Sequence, residues 1–128
     1  MHFQGGLDNR MTDVVGTHCV YFGLLWHYLC VPSCPLWLGL IVESPSGKRL
    51  AYMPAVPQID DVLLKEADSA DVLLFDGTFW SDDELIHIQG NGATALEMGH
   101  VPVSSPTGSL AQLAHLRCPR KIYVHINK

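Results

Sequence analysis

Polar and apolar positions divide the chain near Pro35. From Val14 to Val42 there is no Asp, Glu, Lys or Arg, whereas beyond Pro35 short apolar runs alternate with turn residues and one-sided helical patterns. Leu36 to Glu43 (LWLGLIVE) is rich in strand formers, and Ser44-Pro45-Ser46-Gly47 supplies a tight turn into KRLAYM, which predicts a β-hairpin. After Pro54 and Pro57, Ile59, Val62, Leu63 and Ala67 recur at helical spacing with Asp60, Asp61 and Lys65 facing water, which predicts an amphipathic helix. Asp71 to Phe75 (DVLLF) is apolar without alternation, as in a central strand covered on both faces. Ser81-Asp82-Asp83-Glu84 has the pattern of a capping box and predicts a helix that stops before Gly90. Ser105-Pro106 predicts a second helix start, with Leu110, Leu113 and Ala114 inward and Pro119 ending it. Lys121 to Ile126 (KIYVHI) closes the pattern as a strand with Ile122 and Val124 on one face and Tyr123 on the other. The predicted order is ββ-α-β-α-α-β, an α/β arrangement.

The uncharged N-terminal third admits a different reading. Its length approaches the roughly 20 apolar residues of a membrane-spanning helix. His18 and His27 interrupt it, and Pro32 and Pro35 break a helix there, so a span is disfavoured. A secretory signal fits poorly because only Arg10 precedes the apolar core and no small-x-small site follows it. Residues 1–35 are therefore set apart as an apolar segment, non-native or poorly ordered, with a frayed opening MHFQGGLDNR, and residues 36–128 as the folded unit.

Composition narrows the function classes. With 48% hydrophobic and 16% charged residues among 128, the chain has the make-up of a folded domain rather than a disordered one. A net charge of −5 with eight Lys and Arg excludes the basic footprint of a nucleic-acid binder. Cys19, Cys30, Cys34 and Cys118 form no CxxC pair and are too sparse for a disulfide scaffold, which points to a reducing cytoplasm.

Chemistry is sought where parallel strands end, because loops and backbone dipoles converge there. Asp76 follows DVLLF directly, His125 lies near the exit of KIYV, and His100 sits in a loop able to reach the same edge. Two imidazoles and a carboxylate suit a borderline divalent ion and match the donor set of oxygen-activating ferrous sites. Each also has a structural alternative: a turn-forming Asp76 in DGT, a His125 donating to a backbone carbonyl, and a loop His100 without a partner. Cys30-x-x-x-Cys34 is at most half of a structural zinc site, and Ser104, Ser105 and Ser109 serve turns and a helix start more simply than a triad. No phosphate-binding or dinucleotide fingerprint is present.

The stretches GLIVESPSGKRLAYMP, ADVLLFDGTFWSDDEL, MGHVPVS with the later Gly108-Ser109-Leu110, and KIYVHIN, in this order and spacing, resemble the B-protein family of pyrroloquinoline quinone (PQQ) biosynthesis. The resemblance covers residues 36–128. It implies the C-terminal portion of a metallo-β-lactamase-like αββα sandwich. It also implies a parent protein that is an iron-dependent oxygenase, with zinc as the alternative metal, hydroxylating a tyrosine-derived precursor; a carrier for PQQ or its precursor is the other family role, and a remnant without activity the third reading. By motif position His125 resembles the family's distal metal ligand, and Asp76 and His100 resemble residues that assist metal or substrate. Two departures matter. The family's HxHxDH-type cluster has no counterpart here, so the chain alone is expected to lose its metal and to be silent. Ala55 stands where the family has Gly after YxP. A sheet lacking half of its sandwich is further expected to expose apolar surface and to self-associate.

Overall fold

A computed structural model describes residues 15–21, 24–31 and 34–127, with side chains described from Gly39 to Asn127. The opening MHFQGGLDNR lies outside the described residues, as do the side chains of His18, His27, Cys19, Cys30 and Cys34 that the zinc reading needs. The elements run β1 (Val15–Tyr21), β2 (Leu24–Val31), β3 (Cys34–Glu43), β4 (Arg49–Met53), α1 (Asp61–Asp68), β5 (Val72–Asp76), α2 (Glu84–Gln89), α3 (Ser109–Leu113) and β6 (Arg120–Val124). They build one six-stranded sheet in the order β1-β2-β3-β4-β5-β6. The first four strands pair antiparallel, and β4, β5 and β6 run parallel.

The apolar stretch weighed as a membrane span is thus accounted for by β1, β2 and β3, because hydropathy alone does not separate adjoining strands from a helix. No helix among the described residues is long and apolar enough to cross a membrane. The predicted succession from residue 36 onward holds. β5 lies between β4 and β6, but it is not covered on both faces as its unbroken apolar run predicted: Leu73 and Phe75 are buried, whereas Val72 and Leu74 are only partly so.

Side-chain alternation gives the sheet two unlike faces. Ile41, Ala51, Met53, Leu73 and Phe75 point to one face and are buried against Leu63 and Ala67 of α1 and Leu113 of α3. The opposite face carries the register row Leu40, Tyr52, Leu74 and Ile122, none of which is fully buried. Lys48 and the backbone N–H of Arg49 both donate to Asp71, which ties the start of β4 to the entry of β5.

Four local expectations are corrected. Ser81 does not cap α2: Asp83 occupies the cap position without a side-chain bond, and Glu84 instead accepts from the Trp80 N–H. The third helix starts at Ser109 rather than behind Ser105-Pro106, leaving Leu110 and Ala114 exposed and only Leu113 of the predicted stripe inside. Gly108 explains that start, since a Cβ there would lie 2.6 Å from the Val103 oxygen and 2.9 Å from the Pro102 oxygen. In α1, Asp60 caps through Leu63 N–H as a short acidic side chain favours, while Val62 faces solvent. Finally, β6 stops at Val124, because His125 adopts a left-handed φ of 57° that a strand does not accept.

Candidate active-site cleft

Asp76 ends β5 and is fully buried, so its carboxylate must be satisfied from within. It is. Oδ1 accepts from the Thr78 N–H at 3.1 Å and the Thr78 hydroxyl at 2.7 Å. Oδ2 accepts from the Val56 N–H at 2.9 Å and meets His100 Nδ1 at 2.7 Å. A carboxylate has about four lone-pair sites. All are engaged within the fold, two by Thr78, one by Val56 and one by His100. Oδ1 organises the DGT turn through Thr78, and Oδ2 reaches His100 at the cleft.

The acceptor oxygen fixes the tautomer of His100. Nδ1–H donates to Asp76, which leaves Nε2 as the lone-pair nitrogen of a ring steadied edge-on by Phe79, with centroids 5.5 Å apart. Phe79 itself is buried. A carboxylate behind an imidazole is the arrangement that orients metal-binding and proton-transferring histidines.

His100 and His125 line one open cleft of about 540 Å³, together with Pro54, Ala55, Thr78 and Asn127. The sheet edge thus brings together the three predicted residues in unequal ways. Asp76 and His100 are in contact, whereas His125 shares the cleft wall and tilts toward the Tyr52 ring at 6.3 Å. Among the described residues no group of three or more His, Cys, Asp or Glu is placed to hold a metal ion. Two imidazoles fall short of the three protein ligands of a catalytic zinc site, so these residues do not fit a metal by themselves.

Sequence reasoning missed Thr78, the Val56 N–H and the pairing of Ser109 with Tyr123, whose hydroxyls lie 3.0 Å apart. Thr78 was accessible in principle, because an Asp followed two residues later by Thr is a local turn pattern. The other two are long-range and leave no local signal.

The chain matches the model of the "Beta-lactamase superfamily domain" over residues 27–126. It is 38% identical to coenzyme PQQ synthesis protein B of Methylobacterium sp. (strain 4-46), an alignment covering 82% of this chain and 40% of that protein. It is 40% identical to the protein of the same name in Methylorubrum extorquens (strain PA1), covering 94% of this chain and 50% of that one. The crystal structure of Zn(2+)-bound PqqB from Methylobacterium extorquens superposes with a TM-score of 0.74 at 38% identity, covering 82% of this chain and 36% of that structure. The chain therefore spans half or less of the length of these relatives.

Proposed function

The chain belongs to the beta-lactamase superfamily, and from that premise we propose that it serves in coenzyme PQQ synthesis, with Asp76, His100 and His125 forming one wall of the site that handles a small precursor. The observation that carries this reading is the buried Asp76–His100 pair, which delivers an oriented imidazole to the cleft that His125 also lines. The names of the relatives supply the pathway. Metal dependence is supported by the zinc-bound neighbour. In this proposal His125 would donate one ligand to a metal, with iron as the working ion, and the metal would supply Lewis acidity or oxygen activation. The reaction is hydroxylation of a tyrosine-derived ring by dioxygen, one oxygen atom replacing a ring hydrogen and the other leaving as water with two electrons from an external reductant such as ascorbate. Asp76 and His100 hold substrate or a proton in register rather than binding the metal. The cytoplasm is the proposed compartment.

A carrier function is the second reading. It is favoured by the lack of a three-donor group among the described residues, since an open apolar cleft with two imidazoles can bind a quinone without transforming it.

One experiment separates the two. The chain is joined to the upstream half of a full-length relative and loaded anaerobically with ferrous ion or with zinc. A Glu–Tyr-derived diamino acid is then supplied in air with ascorbate as reductant. The enzyme reading expects hydroxylation with iron, lost in His125→Ala and reduced about 100-fold in His100→Ala. Tight binding of PQQ without turnover under every metal condition establishes the carrier instead. Neither hydroxylation nor binding removes both readings. The 128-residue chain by itself is expected to retain substoichiometric metal, measured by elemental analysis.

A further inference from the structure

Beside the histidine cleft, and sharing Thr78, Ile126 and Asn127 with it, lies a second recess of about 220 Å³. Its walls are Trp80, Val103 and Tyr123, and Gly77 and Glu84 also line it. Tyr123 is held from two sides. Its ring packs edge-to-face on Phe75 with centroids 6.2 Å apart, and its hydroxyl meets that of the fully buried Ser109. Burial raises the phenol pKa, opposed in part by the Ser109 hydrogen bond, so this wall stays an uncharged ring at neutral pH. Gly77 lets the exit of β5 lie close against β6 and so sets the place of Tyr123, because a Cβ there would meet the Tyr123 Cβ and the Val124 oxygen at 3.0 Å. Trp80 is 61% exposed, an indole with little of its surface spent on the fold.

Glu84 is the one ionisable carboxylate lining this recess. It accepts the Trp80 backbone N–H, leaving the indole N–H out of that bond, and among the described residues no Lys, Arg or His forms an ion pair with it. Two aromatic walls and an unneutralised carboxylate select a flat apolar body that carries a positive charge, since indole and phenol faces attract cations and the carboxylate adds a charge-assisted hydrogen bond. A neutral ring would leave the carboxylate unanswered. An acid would be repelled.

We propose that this recess is a subsite for the aromatic-amine portion of the substrate, with the ring against Trp80 and Tyr123 and the ammonium directed to Glu84. The shared residues Thr78 and Asn127 then lead the rest of the molecule into the histidine cleft. The proposal rests on the reading that this cleft handles a small precursor, but the preference for a charged ring does not depend on which pathway uses it.

The test is a titration of the 15N-labelled 128-residue chain with tyramine, 4-ethylphenol and 3-(4-hydroxyphenyl)propionate, followed by amide and indole NMR. Tyramine is expected to shift the Trp80 indole N–H and the Thr78 amide. Glu84→Gln keeps an acceptor for the Trp80 N–H but removes the charge, and is expected to weaken tyramine about tenfold while leaving 4-ethylphenol unchanged. Trp80→Leu should weaken both. Circular dichroism of each variant separates loss of ligand from loss of fold. The subsite is overturned if tyramine does not bind, if its shifts map elsewhere, or if Glu84→Gln binds it as well as the parent does. These outcomes are independent of the hydroxylation assay: tyramine selectivity without precursor chemistry keeps the subsite and removes the oxygenase reading, and the converse removes the subsite alone.

Discussion

On one face of the sheet Ile41, Ala51, Met53, Leu73 and Phe75 are closed under α1 and α3, while on the other the row Leu40, Tyr52, Leu74 and Ile122 is only partly covered. Both faces are apolar, yet only the first gains the full transfer of its side chains from water. The contrast shows where the stability of this chain resides and where it has capacity to spare. It also bears on the relatives, which are at least twice as long as the stretch they share with this chain. The half-covered face is the surface on which further chain, or a second copy, gains most by packing. Asp76 sits at the strand exit between the two regimes, where a buried carboxylate fixes His100 beside an open cleft.

The sharpest way to break this contrast is to cut the covered face. Leu73→Ala is expected to cost about 3 kcal/mol, the usual scale for a fully buried leucine, measured as a lowered urea midpoint at unchanged slope. Asp76→Ala follows at about 2 kcal/mol, because it strands the Val56 and Thr78 N–H groups and removes the anchor of His100. Its NMR signature should be a mobile His100 ring, whereas Leu73→Ala leaves that ring paired. Leu74→Thr, one residue away on the other face, is expected to cost less than about 1 kcal/mol. It should lower self-association in sedimentation velocity. If Leu74→Thr destabilises as much as Leu73→Ala, the second face is already packed and the contrast fails.

This division explains what could be read from the amino-acid sequence. The run DVLLF marked a strand, though not one covered on both faces, and the aspartate directly after it was found by topology alone, because strand ends are local features. The partnership of Asp76 with His100 spans 24 residues: strand-exit topology put both at one edge, but nothing local in either segment signalled the direct contact. His125 was expected within a strand, since nothing in KIYVHI signals a left-handed residue. The helix behind Ser105-Pro106 failed for a similar reason: a cap and a proline are permissive signals, and the close approach at Gly108 decided the start instead. Alternation in β3, β4 and β5 did not reveal which face would be covered, because both are apolar: Ile41, Ala51, Met53, Leu73 and Phe75 on one, Leu40, Val42, Leu50, Tyr52, Val72 and Leu74 on the other.

The smallest effect tests whether acid acts at the cleft or at the far end of the strands. Asp71 accepts the Arg49 N–H and the Lys48 ammonium, and Asp68 accepts from the Arg117 guanidinium and backbone. The Arg49 backbone bond first, then Lys48, holds Asp71 below the ordinary 3.8. The Arg117 hydrogen bonds do the same for Asp68. Lowered values mean that the unfolded chain binds these protons more readily than the folded one. Their contribution is therefore complete above 3.8 and is lost as pH falls through the lowered folded values. Asp71→Asn and Asp68→Asn should flatten the acid limb of the urea midpoint between about pH 5 and 2, with no change at pH 7 in tyramine binding. Because both pairs are solvent-exposed, the flattening should shrink further in high salt. An acid limb that survives both substitutions would show that these two exposed pairs do not set the acid sensitivity of the fold.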